Sequence, residues 1–386
     1  MSTLETATIL GAIVLAASML SVELGLAVAI IEIMGGVIAG NLLGVHTTPW
    51  IDFLASFAGV VLTFLAGAEV DPALLRQKFK ASAVIGGLSF LLPFLGAGLF
   101  AYFVAGWGVR QSEIAGIALS TTSLAVVYAV LVETGLTNTE TGKIIMAATF
   151  ITDLGTVLAL SFLFINPTPY LALFIVVSVL AIVGMRLAQR WFFARYGDRV
   201  IEPEIKATFF VLFLLMWLAE RANSHAVLPA FLLGLSLASV LQANREQQKR
   251  FRVVAFSFLT PVFFFKGGLN VSVGALAGSV LLLAGFLAVK LAMKFAGVLP
   301  AALAYVRPHA MYTTLLMSTG LTFGTIASLY GLNAGIIDRT QFSVLVTAVI
   351  LSAVVPTFFA QRFFSPPVHP LTPEEALAGE DEEFER

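Results

Sequence analysis

The sequence of 386 residues contains no cysteine, and charged residues make up only 12% of it. The absence of cysteine excludes disulfides and thiolate metal sites. A typical soluble domain is about 25% charged, whereas this chain combines half that share with 59% hydrophobic residues. That composition excludes an ordinary soluble enzyme, a disordered protein and a nucleic-acid binder. Walker, GxSxG and HExxH motifs are also missing, so the chain is not expected to be an enzyme or to hold a cofactor. The remaining class is a polytopic membrane protein.

Thirteen stretches of the chain are long and apolar enough to span a bilayer, which takes about 20 residues in a helix. They lie at residues 7–22, 26–44, 51–69, 79–105, 112–133, 141–165, 169–187, 205–222, 225–242, 251–270, 273–299, 309–331 and 341–364. The alternating pattern of an outer-membrane barrel is missing from them. We therefore predict an all-α polytopic membrane protein with 13 transmembrane helices.

The basic residues predict an orientation in the membrane. With the N-terminus outside, 16 Lys and Arg residues fall in the inside loops and the tail, and three (Arg110, Arg221 and Arg339) fall in the outside loops. Basic residues accumulate in cytoplasmic loops. We therefore expect the N-terminus outside, the C-terminus in the cytoplasm and an odd number of spans, in a multi-pass protein of a prokaryotic cell membrane.

The distribution of charge also divides the chain into parts. Residues 1–168 form a first half of six helices, and residues 205–364 form a second half of six. Between them, residues 169–204 form a linker helix and the largest inside loop. Residues 365–386 are polar and acidic without apolar periodicity, which predicts a disordered cytosolic tail.

Two of the predicted spans contain polar segments that weaken a helix. The fifth span holds four consecutive hydroxyl residues, namely Ser120, Thr121, Thr122 and Ser123. The twelfth span holds three hydroxyl residues beside two glycines, namely Ser318, Thr319, Thr322, Gly320 and Gly324. Because the two spans are seven apart, they run in opposite directions. Interrupted helices in matching positions of inverted halves indicate a transporter binding site near the bilayer midplane. The alternative is that the hydroxyls bond back to carbonyls and the glycines serve helix packing.

Two acids lie well inside predicted spans, Asp153 in the sixth and Glu32 in the second. An ionisable group at the bilayer centre costs roughly 2.5–3.5 kcal/mol on insertion scales and is usually held by a partner, a water cavity or a transported ion. Asp153, one span after the first polar segment, is expected beside the point where the two interrupted spans meet. A carboxylate with hydroxyls and freed carbonyls suits a hard monovalent cation, and the same carboxylate can take a proton instead. Asp153 is otherwise a structural partner for a lysine, and Glu32 is favoured as structural.

Three lysines also lie inside predicted helices, namely Lys266, Lys290 and Lys294. Lys290 and Lys294 share a helix face, and one of them can snorkel toward the inside. The four histidines have no metal-ligand spacing, and we expect them at the surface.

Five short segments resemble motifs of one family of membrane proteins. Residues 32–41 resemble "G-E-x-x-A-G-x-x-x-G-P" in its second span, and residues 64–71 resemble "F-x-x-G-L-E-x-D" at the end of its third. Thr122-Ser123 with residues 133–138 resembles "T-S…E-L-G-L-L-N". Residues 231–238 resemble "F-L-A-G-L-x-L-A", and residues 261–265 resemble "P-x-F-F-x". In their order and spacing, over residues 7–364, these segments resemble the monovalent cation:proton antiporter superfamily in its Kef/Nap-type branch.

This resemblance implies an inverted-repeat antiporter fold with two crossed discontinuous helices, a core domain and a dimer domain, assembled as a homodimer with an elevator-like movement of the core. It also implies that Asp153 of the Thr152-Asp153 pair binds the cation and the proton, and that Thr122 and Ser123 line the site. The family's eleventh-span lysine matches Lys294 best and Lys290 second.

The chain departs from the family pattern at three places. Thr152 replaces the first acid of the two-acid members, so the acid–lysine pair of those members cannot form there. The twelfth span reads Ser318-Thr-Gly-Leu-Thr instead of "R-G-E-x-x", and Lys266 is an added charge.

The sequence thus predicts a secondary antiporter that exchanges Na⁺ or K⁺ for H⁺, with Asp153 binding them competitively. One titrating acid predicts 1:1, electroneutral exchange, unless a core lysine releases its own proton. The alternatives are a sodium-coupled symporter for an organic solute on a related inverted-repeat fold, and a channel or membrane scaffold. The predicted partners are a monovalent cation, a proton, the lipid bilayer and a second copy of the chain, without nucleic acid.

Overall fold

The computed structural model describes residues 2–24, 27–70, 77–134, 136, 139–164, 169–196, 199, 201–222, 224–364 and 366, and within these ranges the regular structure is entirely helical. The first half contains α1 (Thr3–Leu24), α2 (Val28–Asn41), α3 (Pro49–Ala68), α4 (Phe79–Phe103), α5 (Val109–Ser120), α6 (Leu124–Glu133) and α7 (Glu140–Leu163). The helix at the predicted linker is α8 (Pro169–Tyr196). The second half contains α9 (Pro203–Arg221), α10 (Val227–Ala243), α11 (Arg245–Val254), α12 (Thr260–Leu269), α13 (Val273–Ala277), α14 (Val280–Tyr305), α15 (Ala310–Met317), α16 (Thr322–Asn333) and α17 (Arg339–Phe363). A short π-helix, Ala255–Leu259, joins α11 to α12, and a 3₁₀ helix, Arg307–His309, precedes α15. The all-α membrane fold is confirmed.

Nine helical segments of the described residues are long and apolar enough to cross a membrane. Four predicted spans coincide with other helices. Two of these, α2 and α10, are apolar but short, the third is broken between α5 and α6, and α9 carries charges at both ends. The count of 13 transmembrane helices therefore stays a prediction.

Helix boundaries differ from the prediction at two places. Helix α8 ends at Tyr196 instead of residue 187, because its last turns contain Arg, Leu, Ala and Gln, which favour a helix, and neither Gly nor Pro. The predicted span 273–299 is two helices, α13 and α14, and the second runs on to Tyr305. The acidic tail 365–386 lies outside the described residues except for residue 366.

The two halves pack against each other through glycine contacts in two helix pairs. In the α2–α12 pair, a Cβ atom on Gly268 would lie 2.0 Å from the carbonyl oxygen of Ile33. In the α3–α10 pair, a Cβ atom on Gly234 would lie 1.9 Å from the carbonyl oxygen of Phe64. Only a residue without a Cβ allows the backbones to approach this closely. The first pair joins predicted spans 2 and 10, and the second pair joins predicted spans 3 and 9. A shift of seven spans relates span 2 to span 9 and span 3 to span 10, so the two pairs occupy equivalent positions. The packing is that of an inverted repeat.

Candidate functional site

Both predicted interruptions are present. Helix α5 ends at Ser120 and α6 begins at Leu124, with Thr121 in extended conformation. Helix α15 ends at Met317 and α16 begins at Thr322. Each break follows a turn whose hydroxyls bond back to carbonyls, as Ser120 Oγ does to Ile117 O at 2.8 Å and Thr319 Oγ1 to Leu316 O at 2.8 Å. Such bonds compete with the helix and favour its end at that point.

The two breaks contact each other inside the protein. Thr122 Oγ1 donates to Met317 O at 3.0 Å, so a hydroxyl of the first break satisfies the last carbonyl of α15. The backbone N–H of Ser123 lies 3.4 Å from Thr319 Oγ1. The hydroxyl residues of the two breaks are buried, except for the half-buried Thr322. The buried ones are Ser120, Thr121, Thr122, Ser123, Ser318 and Thr319.

Lys294, on α14, is fully buried and fixes the first break. Its Nζ donates to Ser120 O at 2.8 Å, to Ser89 Oγ at 2.8 Å and to Thr122 Oγ1 at 3.0 Å. The acceptor Ser120 O is the end of α5, where the helix dipole leaves partial negative charge. The ammonium group is held by three acceptors, one on α4, one at the end of α5 and one in the first break.

Asp153, in the middle of α7, is 1% exposed. Its Oδ1 has no hydrogen-bond partner among the described residues. Lys294 and Glu69 are the charged groups that act on it electrostatically. A buried carboxylate oxygen without a partner is costly unless a proton or a cation binds it. Thr149, one turn before Asp153, places α7 against the second break, since its Oγ1 lies 3.6 Å from Met317 Sδ. Carboxylate and hydroxyl oxygens of the kind found on these helices suit a hard cation.

Thr152 precedes Asp153 and is also buried, but its hydroxyl serves helix packing. Thr152 Oγ1 donates to Ala148 O at 3.0 Å and is 3.3 Å from Gly86 O on α4. The structure therefore places this hydroxyl against α4. Its role as a cation ligand stays a prediction.

Lys290 lies one turn before Lys294 and at the other break. Its Nζ is buried and has no hydrogen-bond partner among the described residues. A Cβ atom on Gly320 would be 2.3 Å from Lys290 Nζ and 3.0 Å from Thr121 Oγ1. Gly320 thus leaves the space that the lysine end occupies between the two breaks.

Two predicted core charges lie elsewhere. Lys266 Nζ pairs with Asp52 Oδ1 at 2.7 Å, and both residues line a cavity of about 400 Å³ with Asn270 and Arg339. Glu32 is buried on α2, whose main contacts are with α1 and α12, and its Oε2 has no partner among the described residues. Lys266 shares its cavity with Leu332 and Asn333 at the end of α16, and no described hydrogen bond or ion pair joins Lys266 or Glu32 to the two breaks.

Three features were missed by the sequence reasoning. Ser89 contacts Lys294, and its seven-residue spacing from buried Ser82 on an apolar helix is a signal that could have identified it. Arg252 binds Glu69 Oε1 through Nε at 3.1 Å and through a terminal nitrogen at 2.7 Å. His225, expected at the surface, is half-buried with its ring centroid 4.2 Å from that of Tyr330.

Comparison with known proteins gives a consistent result. Over 357 residues the chain is 28% identical to the probable Na(+)/H(+) antiporter 3 of Methanocaldococcus jannaschii, covering 87% of this chain and 90% of that protein. It is 21% identical over 364 residues to the Na(+)/H(+)-K(+) antiporter GerN of Bacillus cereus, covering 89% of this chain and 92% of that protein. The structure of the sodium proton antiporter MjNhaP1 from M. jannaschii superposes with a TM-score of 0.67 at 16% identity, over 95% of this chain and 100% of that one. The family described as sodium/hydrogen exchanger, transmembrane, matches residues 8–364. The protein therefore belongs to the sodium/hydrogen exchanger family.

Proposed function

We propose that the protein is a secondary antiporter that exchanges a monovalent cation, Na⁺ or K⁺, for H⁺ across the membrane. The observation that carries the proposal is the unpartnered, buried Oδ1 of Asp153 on the helix beside two broken helices that meet. Proton and cation compete for this carboxylate, because binding either one satisfies it and excludes the other. The relatives named as Na⁺/H⁺ antiporters, and GerN, which is named as a Na⁺/H⁺-K⁺ antiporter, support exchange over solute symport.

The cation ligands that we propose are Asp153, Thr122 and Ser123, with the carbonyls freed at the two breaks. Lys294 positions this set, because it ties Thr122 and the end of α5 to α14. Its ammonium also offsets the negative charge of Asp153 when the site is empty. When a cation binds, it coordinates the carboxylate directly and replaces the electrostatic attraction of Lys294. The lysine therefore sets the minimum affinity that a cation needs in order to bind.

The transport cycle that we propose is alternating access with one cation exchanged for one proton. Asp153 is the one carboxylate of the described residues found beside the broken helices without an ion-pair partner, which favours electroneutral 1:1 exchange. The family resemblance supports a homodimer whose core moves in an elevator-like manner against its dimer domain. The positive-inside pattern supports an outside N-terminus and a cytoplasmic C-terminus.

The first prediction concerns the substitution Asp153→Asn, which keeps the shape of the side chain and removes its titrating group. In proteoliposomes with a pH-sensitive dye, we expect cation-driven proton movement to fall to the level of empty liposomes for Li⁺, Na⁺, K⁺ and Rb⁺. Glu23→Gln, at the exposed end of α1, is the matched control and should retain wild-type exchange. Continued exchange by Asp153→Asn would refute the assignment. An imposed membrane potential tests the stoichiometry separately, because a rate that follows voltage contradicts electroneutrality.

A further inference from the structure

A second cavity, of about 200 Å³, lies away from the broken helices between α3, α8, α9, α10 and α11. Its walls are mainly apolar and aromatic. Phe64 and Phe251 form one side, with their ring centroids 5.8 Å apart. Val211 and Leu237 also line the cavity. Such walls favour an apolar ligand, because each apolar group removed from water contributes free energy of binding.

Two polar side chains line this apolar cavity without a partner. Glu204, in the first turn of α9, and Gln247, on α11, are each 6% exposed. Glu204 Oε2 and Gln247 Oε1 have no hydrogen-bond partner among the described residues. Buried polar atoms are nearly always hydrogen-bonded, so two orphaned acceptors in one cavity indicate a missing donor.

The neighbouring acids differ from Glu204 in having a basic partner, although Glu202 Oε2 also has no hydrogen bond. Glu202 and Glu246 each pair with Arg250, at 3.1 Å and 3.3 Å. Within the described residues, no basic side chain pairs with Glu204. Both orphaned atoms are acceptors, so the ligand must donate. A carboxylate bonds most strongly to a charged donor, which points to a cation with N–H groups.

We propose that this cavity binds an amphiphile with a primary ammonium group on an apolar chain, and that Glu204 and Gln247 accept hydrogen bonds from the ammonium. A quaternary ammonium has no N–H group and cannot satisfy them. Phe210 lines the cavity and is 67% exposed, so the cavity lies close to the outer surface of α9. An aminophospholipid headgroup and a free alkylamine share this chemistry. The site is independent of the exchange reaction at Asp153.

The test uses the full chain in lipid nanodiscs with n-hexylammonium as the probe. We expect hexylammonium to bind wild type and to raise its unfolding midpoint, with at least tenfold weaker binding to Glu204→Gln, by calorimetric titration. Glu220→Gln changes an exposed acid on the same helix and should bind like wild type. Hexanol, equal in length but neutral, should bind wild type no better than hexylammonium binds Glu204→Gln. Equal affinity of hexylammonium for wild type and Glu204→Gln, or equal affinity of hexanol and hexylammonium, would overturn the proposal.

A lipid arm identifies the source of the ammonium. Nanodiscs of phosphatidylethanolamine should stabilise wild type more than those of phosphatidylcholine, and Glu204→Gln should lose this difference if the headgroup is the ligand. If hexylammonium binds and the two lipids act equally, the ligand is a free amine. Ala207→Phe fills the cavity while keeping Glu204, and it should abolish hexylammonium binding. Gel filtration confirms folding of each variant, and retained binding by a folded Ala207→Phe variant would contradict the assigned location.

Discussion

Two buried lysines lie one helical turn apart on α14 and have opposite surroundings. Lys294 Nζ donates to three acceptors, whereas Lys290 Nζ has none among the described residues. A hydrogen bond to a charged group contributes about 1.5–3 kcal/mol, while a buried charge without a partner is destabilising. We therefore expect the same residue type in adjacent turns to have opposite effects on stability.

We predict that Lys294→Met lowers the unfolding midpoint and reduces exchange at least tenfold, because Ser120 O and Thr122 lose their donor. Lys290→Met replaces an unpartnered ammonium by an apolar side chain of similar length, so the midpoint should stay equal or rise. Thermal unfolding of the purified proteins and dye-monitored exchange measure the two effects. Equal loss of stability in both variants would contradict this assignment of their surroundings.

Gly320 and Lys290 should be coupled, because a side chain at Gly320 would collide with the lysine end. We expect Gly320→Ala to lower stability in the wild type by about 1–3 kcal/mol, the range for overpacking. In a Lys290→Ala background the same substitution should cost at least 0.5 kcal/mol less, the lower limit of coupling between contacting residues. The double-mutant cycle, read by chemical unfolding, measures this difference. Strict additivity would show that the alanine clashes with Thr121 instead.

The sequence indicated the site residues that have a local signature. The run of hydroxyl residues and the glycines predict both helix breaks. Asp153 and the lysines stand out because charged residues are rare in apolar segments. It could not place Lys266 against Asp52, or Arg252 against Glu69, because these partners are far apart in the chain. It also could not show that Thr152 bonds to Gly86 O, since that contact depends on how α4 packs on α7.

At the scale of elements, the four half-helices α5, α6, α15 and α16 are 12, 10, 8 and 12 residues long. Isolated helices of this length are marginal in water. Here they are held by tertiary contacts, such as Thr122 with Met317 O. Their positions were predictable from the hydroxyl and glycine segments. The length of α8 was not predictable, since a run of basic residues is equally compatible with a cytoplasmic loop and with a helix.

The turn between α9 and α10 predicts a pH effect on stability. Burial lowers the pKa of His225 from its ordinary 6.5 to about 4, so the folded protein favours the neutral ring against Tyr330. This stabilisation is complete above about pH 6.5 and is lost as the pH falls toward 4, because the unfolded chain then binds the proton more readily.

His225→Phe keeps a ring at the position and removes the titration. Between about pH 7 and about pH 4.5, we expect the unfolding midpoint of wild type to fall further than that of His225→Phe. The midpoints are measured by differential scanning fluorimetry on detergent-solubilised protein. Parallel curves for the two proteins would show that His225 is not responsible.

At the scale of the whole molecule, the absence of cysteine allows a direct test of orientation. A single cysteine at the exposed Ser2 should react with a membrane-impermeant maleimide in intact cells if the N-terminus is outside. A single cysteine at the exposed Lys249, at an inside loop in the predicted orientation, should react only after permeabilisation. The reverse pattern would invert the predicted topology.

At this scale, the packing of α2 with α12 and of α3 with α10 agrees with the inverted repeat that the sequence predicts, and the boundaries of the two halves stay a prediction. The pairing of α2 with α12 and of α3 with α10 could not be predicted, because glycines in the sequence do not say which backbone they approach. Homodimer formation and the movement of the core rest on the family resemblance and belong to the proposed function.

The glycine contacts between the two halves also limit how this chain can diverge. At Gly268 and Gly234, even the smallest side-chain atom would lie within about 2 Å of a carbonyl oxygen of the opposite half. A backbone oxygen cannot be replaced by mutation, so no second-site substitution of that neighbour restores the space. These positions therefore accept no gradual change, whereas the apolar residues around them can exchange volume with one another. Substitutions can therefore accumulate among the surrounding apolar side chains, whereas the glycine contacts of the α2–α12 pair and the α3–α10 pair stay fixed.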